Sequence, residues 1–326
     1  MKKILTVLLG LGVATSAYSK DLSFEQYVET LKKEAKADGI SDRILTEAFE
    51  NVKYVPRAVK ADRNQPEKRL TLDEYIPRAV PQWKVKQAKA LYKKHYPDLE
   101  RIGKKYSVQP RFIVALWGVE SNFGKFTGSY SVIDALTTMA YDGRREAFFR
   151  NETMAALKIL QEGHIQVEDM KGSWAGAMGQ CQFMPSSYLA YAADGDGNGR
   201  KDIWSSTDDV FASTANYLHK SGWDNTHTWG RQVRLPKGFD KKLAGREDSK
   251  AKPLHEWSEL GITKYDGKPL PNLGKNDIKA WLIMPDDLDG RVYLIYNNYQ
   301  VLMKWNRSYY FATAVTHLAD AIKFEP

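Results

Sequence analysis

The sequence predicts a mainly α-helical protein, α+β by class, with a helical N-terminal region, a helical core and a small β subdomain inserted ahead of a last helix. Three observations carry this. Apolar residues recur at helical spacing along most of the chain, as in Phe112, Leu116, Val119 and Phe123 at i, i+4, i+7 and i+11. Between residues 231 and 305 the pattern changes to short β-rich runs broken by Gly, Pro and Asp. From Tyr309 to Ile322 the helical period returns through Phe311, Val315 and Leu318. The chain has 326 residues, of which 43% are hydrophobic and 27% charged, enough to bury a sizeable core and incompatible with collagen-like, coiled-coil or wholly disordered chains.

In chain order, residues 1–19 read as a cleavable secretory signal, with Lys2 and Lys3 ahead of an apolar run that ends in Ala17-Tyr18-Ser19. That run is shorter than the roughly 20 residues needed to cross a bilayer, so no transmembrane segment is expected. Lys20 stands where a lipid-anchored protein needs Cys, which points to a soluble, exported protein. Residues 20–108 form a helical N-terminal region. Phe24, Tyr27, Val28 and Leu31 mark one helix, Ile44, Ala48 and Phe49 a second, and Trp83 to Tyr106 a further helical stretch. The Pro-containing, highly charged segment 51–75 is expected to be an extended connection. Residues 109–230 are the core, entered by a buried helix with Pro110 at its first position and Gly124 as its C-terminal cap. Residues 231–300 form the β subdomain, and 301–326 the C-terminal helix that returns to the core.

The balance of 48 Lys plus Arg against 40 Asp plus Glu gives a net charge of +8, two units of which belong to the signal segment. An anionic partner and solubility alone explain this equally well. The basic residues are scattered, which excludes nucleic acid as the expected partner. The single cysteine, Cys181, permits no intramolecular disulfide. The sequence lacks H-E-x-x-H, G-x-x-x-x-G-K-[ST] and G-x-S-x-G, which argues against a zinc protease, a P-loop enzyme and an α/β-hydrolase. His164, His219, His227 and His255 follow no metal-ligand spacing.

Segment 194–205 reads as an EF-hand-like calcium loop. Asp194, Asp196, Asn198 and Asp202 place side-chain oxygens at positions 1, 3, 5 and 9, Gly199 allows the sharp turn at position 6, and Arg200 offers a backbone carbonyl at position 7. Ser205 stands at position 12 in place of the usual bidentate acid, so affinity depends on water or on Asp208. The alternative is an acidic turn without a metal. In either case the loop is structural.

Glu120 follows Ile113 and Trp117 on the buried helix, so its carboxyl lies along the edge of the apolar face. Desolvation there favours the neutral form, which a general acid for glycosidic cleavage needs. The plain alternative is a solvated acid near a helix end.

The surrounding residues separate these readings. E-S-N-F-G at 120–124, G-S-W-A-G-A-M-G-Q-C-Q-F-M-P-S-S-Y at 172–188, the acidic loop ending in Ile203-Trp204, Ala215-Asn216-Tyr217-Leu218 with Gly222-Trp223, and Asn298 to Val301 with Trp305 to Ser308 together resemble the lytic murein transglycosylase B family. The resemblance covers nearly the whole chain after the signal and implies a lysozyme-like core. It also implies non-hydrolytic cleavage of the β-1,4 bond between N-acetylmuramic acid and N-acetylglucosamine in peptidoglycan strands, giving 1,6-anhydromuramyl ends. By the same resemblance, Glu120 acts as general acid and then base. Gln182 and Ser173 bond near the carboxyl or the sugar, and Tyr217, Tyr75 and Asn298 contact substrate. Ser187 and Tyr188 shape the cleft from behind. No cofactor for catalysis is implied, calcium is a structural ion, and the location is the periplasm. The 18 Tyr and 9 Trp suit a sugar cleft, whose walls pack on pyranose C–H faces. No second carboxylate is evident, Asp134 reading as a capping or surface acid. The alternatives are a hydrolytic muramidase and a catalytically silent peptidoglycan-binding module. Cys181 lies within the second motif, where oxidation of its thiol would disturb the cleft.

Overall fold

The computed structural model describes residues 22–64 and 70–323. The signal segment therefore lies outside the described residues. Helix α1 (Phe24–Ala37) opens on a reciprocal capping box between Ser23 and Gln26, and α2 (Asp42–Phe49) on Ser41. The expected extended connection is instead two helices, α3 (Pro56–Arg63) and α4 (Leu72–Ala79). Pro56 sits at the start of α3, where a missing N–H costs nothing, and Thr71 and Glu74 form a second capping box ahead of α4. Each helix buries one short apolar face, Ala58 and Val59 in α3, Leu72 and Ile76 in α4. The stretch 83–106 is also two helices, α5 (Gln82–Lys94) and α6 (Tyr96–Tyr106), separated at His95 just before Pro97.

Helix α7 (Pro110–Ser121) is the axis of the core. Every residue from Phe112 to Gly118 is buried, because α5, α6 and two later helices pack around it. It ends before Gly124: Asn122 and Phe123 already have φ of 51° and 59°, and Gly124 follows at 80°. Gly124 is required there for space as well, since a Cβ would lie 2.4 Å from the Gln180 side-chain oxygen. Strand β1 (Tyr130–Ser131) pairs antiparallel with β2 (Lys171–Gly172), and α8 (Val132–Tyr141) and α9 (Glu146–Gln161) form the hairpin between them. Helices α10 (Pro185–Tyr191) and α11 (Thr207–Lys220) flank the acidic loop.

The inserted sheet contains β3 (Gly230–Arg234), β4 (Lys252–Pro253), β5 (Thr263–Lys264), β6 (Lys279–Ile283) and β7 (Val292–Ile295), all paired antiparallel in the order β4-β6-β7-β3-β5, with α12 (Leu254–Glu259) against it. Strand alternation explains why β6 from Ala280 onward and the whole of β7 are buried on both faces. Ala280, Leu282, Val292 and Leu294 face a small separate core with Trp257, whereas Trp281, Ile283, Tyr293 and Ile295 face the main core. The expected C-terminal helix is two, α13 (Asn297–Trp305) and α14 (Tyr309–Ile322), broken by the extended Asn306. Helix α14 then lies along α7, α4 and α5. Among the described residues no helix is long and apolar enough to cross a membrane.

Candidate active site

Glu120 stands in the last turn of α7. The Trp305 indole N–H, from the end of α13, donates to its Oε1 at 2.6 Å. Burial pushes the carboxyl up to about 7, and the indole bond opposes this only in part. Among the described residues no neighbouring charge contributes to the shift. Trp305 is the site residue that sequence reasoning missed: it belonged to a matching motif, but 185 residues separate it from its partner, and only folding brings them together.

An aromatic wall continues from this pair. Trp305 packs on Tyr217 at 4.6 Å and on Phe183 at 5.2 Å, and Tyr217 packs on Tyr191 at 4.4 Å. Tyr75 packs edge-on against Tyr310, and its phenol is raised by burial and then by the nearby Glu120 carboxylate. Thus Tyr75 lies close enough to sense Glu120, and Tyr217 is joined to it through Trp305.

The remaining expected site residues make the following contacts within the chain. Gln182, held at φ 51°, donates to the carbonyls of Thr127 and Gly179 and so ties two loops together. The neighbouring Gln180 accepts from the Trp117 indole and donates to the Trp204 carbonyl, joining α7 to the acidic loop. Ser173 accepts the N–H groups of Ala175 and Ala177 and shapes that turn. Asn298 is fully buried and clamps the 224–227 turn through Asp224 and His227, which removes it from substrate contact. Tyr188 is likewise fully buried, donating to the Lys201 carbonyl and packing on Trp204. Ser187 is half-buried on α10, and nothing described joins it to Glu120. Asp134 accepts the Lys53 N–H and stands in the first turn of α8. The Cys181 thiol is buried beside Val210 and Thr214, and burial pushes it up to about 12.

The acidic loop departs from the expected ligand order. Asp194 accepts the N–H groups of Gly197 and Gly199, Asp196 that of Asn198, and Asn198 that of Arg200. Asp202 accepts the N–H groups of Trp204 and Ser205 together with the Ser205 hydroxyl, so Asp202 and Ser205 satisfy each other. Asp208, expected to assist, pairs with Arg101. The acid that joins Asp194 and Asp196 is the fully buried Asp209, and one oxygen from each lies within 4.8 Å of the others. Asp209 also accepts the N–H groups of Gly195 and Asp202, closing the loop at both ends. Three carboxylates this close fit a hard divalent cation.

A family model described as Transglycosylase SLT domain matches residues 23–320. The chain is 33% identical over 235 residues to membrane-bound lytic murein transglycosylase B of Escherichia coli, a match covering 70% of this chain. The chain thus spans about 61% of the length of the curated relative it matches. Among solved structures, SltB3 from Pseudomonas aeruginosa in complex with NAG-NAM-pentapeptide is 42% identical with a TM-score of 0.88, covering 93% of this chain and 80% of that one. SltB3 has also been solved with NAG-anhNAM-pentapeptide. The Escherichia coli lytic transglycosylase Slt35 in complex with calcium is 26% identical with a TM-score of 0.77, covering 91% of this chain and 92% of that one.

Proposed function

Because the chain belongs to the transglycosylase SLT domain family, we propose that it is a lytic transglycosylase that cleaves the N-acetylmuramyl-β-1,4-N-acetylglucosamine bond of peptidoglycan without water. The observation that carries this is Glu120, a carboxyl held near pH 7 by burial, with no charged neighbour among the described residues contributing to the shift. At neutral pH such a group is present in both forms, as a residue that first gives a proton and then takes one requires. The Glu120 proton passes to the glycosidic oxygen as the C1–O bond breaks. The carboxylate then takes the proton of the muramyl C6 hydroxyl while that oxygen bonds to C1. The released ends are a free 4-hydroxyl and a 1,6-anhydro ring, and Glu120 is again protonated. Hydrolysis by the usual route employs two carboxylates across the bond, and among the described residues no second carboxylate shifts the titration of Glu120. The SltB3 complex with an anhydromuramyl ligand supports the same product here. Tyr75, Tyr217 and Trp305 line the sugar path, while Gln182 and Ser173 fix the loops beside it.

The 194–209 loop would hold calcium through Asp194, Asp196 and Asp209, with Asn198 beside them. The ion would supply charge balance and bind the loop to α11, as the calcium complex of Slt35 supports. The 1–19 segment supports export to the periplasm, where peptidoglycan lies.

Mass spectrometry of muropeptides released from purified peptidoglycan by the parent and by Glu120→Gln tests the reaction. Anhydro ends from the parent alone are expected, with the variant slower by about 10³-fold or more. Reducing ends would identify a hydrolytic muramidase. Binding without release by the parent would identify a silent module.

A further inference from the structure

We propose that Trp305 is a positioning residue that decides which oxygen of Glu120 carries the proton: its indole N–H occupies Oε1 and leaves Oε2 as the atom that gives up a proton and takes one back. This rests on the reading of Glu120 as the acid.

The indole nitrogen is a donor only. At 2.6 Å it needs a lone pair on Oε1 whether or not the carboxyl is protonated. In the neutral acid the carbonyl oxygen is the stronger acceptor of the two, so the indole bond favours the proton on Oε2. Among the described residues Trp305 is the hydrogen-bond partner of this carboxyl, and no cation is placed to balance its charge. When the proton leaves, the bond becomes charge-assisted and strengthens. The donor is thus aimed at charge that develops during bond cleavage and disappears as the ring closes.

Packing makes the aim rigid. Trp305 ends α13 and is held between Tyr217 and Phe183. A phenylalanine would keep much of this packing and lose only the donor, leaving burial unopposed. The titratable neighbours that sense Glu120 are Tyr75 on α4 and Cys181, whose phenol and thiol are both raised, so both stay neutral while Glu120 titrates.

The decisive comparison is the parent against Trp305→Phe, reading kcat and KM as functions of pH. Loss of a hydrogen bond to a charged group corresponds to a rise in pKa of about one unit or more. The basic limb of kcat/KM should move up by that amount. The fall in activity, about tenfold, should appear in kcat rather than KM. An unmoved limb with the loss confined to KM would reduce Trp305 to a wall of the cleft. A second measurement needs no variant at Trp305. In ¹⁵N-labelled parent, one of the nine indole N–H resonances should shift with pH along the Glu120 titration and lose that response in Glu120→Gln. If none does, the hydrogen bond is absent and the inference falls. Muropeptides from the parent, analysed alongside, keep the two questions apart. Anhydro ends with an unmoved limb sink the role of Trp305 alone, whereas their absence sinks the lytic reading, and the indole titration still judges the bond.

Discussion

The pair Glu152–Ser186 should behave as a single energetic unit. Glu152 lies on α9 with only 4% of its surface exposed. One carboxylate oxygen accepts the Ser186 N–H at 2.9 Å and the other the Ser186 hydroxyl at 2.6 Å. Ser186 opens α10, directly after the segment whose Phe183 packs on Trp305, so this bond anchors one side of the cleft to α9. Each bond to a charged acceptor contributes about 1.5–3 kcal/mol, so Glu152→Ala, which removes both, should cost about 3–5 kcal/mol. Ser186→Ala removes only the hydroxyl bond and should cost about 1.5–3 kcal/mol. In the double variant that bond is lost once, giving a coupling of about 1.5–3 kcal/mol. Urea unfolding of the four proteins, followed by circular dichroism and by tryptophan fluorescence, measures the cycle. Additive single costs, or a Glu152→Ala cost below about 1 kcal/mol, would refute the reasoning. The carboxylate would then be exchanging the serine for water at little loss.

Three further outcomes follow. Glu120 in the folded protein titrates near pH 7 rather than at the ordinary 4.5, so the native state binds the proton more tightly and the parent loses stability as pH rises between those values. Glu120→Gln should therefore be more stable than the parent at pH 8, by up to about 3 kcal/mol, with the gap closing below pH 4.5; equal thermal denaturation at pH 8 would contradict the desolvation. Calcium at a hundred times its dissociation constant should add about 2.7 kcal/mol, or about 5 °C in Tm, reversed by chelator and absent in Asp196→Ala. No response at millimolar calcium would remove the ion from the loop. Gly128→Ala would set a Cβ 2.0 Å from the Gly172 carbonyl oxygen at a φ of +92°, forcing β1 from β2. That should cost about 3 kcal/mol or more, and an unchanged Tm would contradict it.

What could be read in the sequence was local. The Gln109-Pro110 entry to α7 and the period of α14 fall where spacing places them, because those helices are apolar enough to have no alternative to burial. The segment 51–75 misled because charge and proline stand out more than the cap they accompany. Thr71 and Glu74 were a visible capping pair, yet α3 and α4 bury such short faces that periodicity barely registers. Glu120 stood out by motif and by its place on an apolar helix. Trp305 and Asp209 did not, because their roles exist only through partners distant in the chain or on the far side of a loop. The same limit explains Asn298. A polar residue in a matching motif reads as substrate-facing until its burial is known, and Asn298 turns inward to satisfy backbone groups.

Cys181 has a practical consequence. Its thiol is sealed beside α11 and pushed up to about 12, so at neutral pH it offers almost no thiolate to an oxidant or a maleimide. The folded protein can thus be handled without reductant. A cysteine introduced on the rim of the cleft would be the one group to take a spin label or fluorophore, with the native residue left in place. Distances across the cleft during a reaction can therefore be followed in the otherwise unaltered chain.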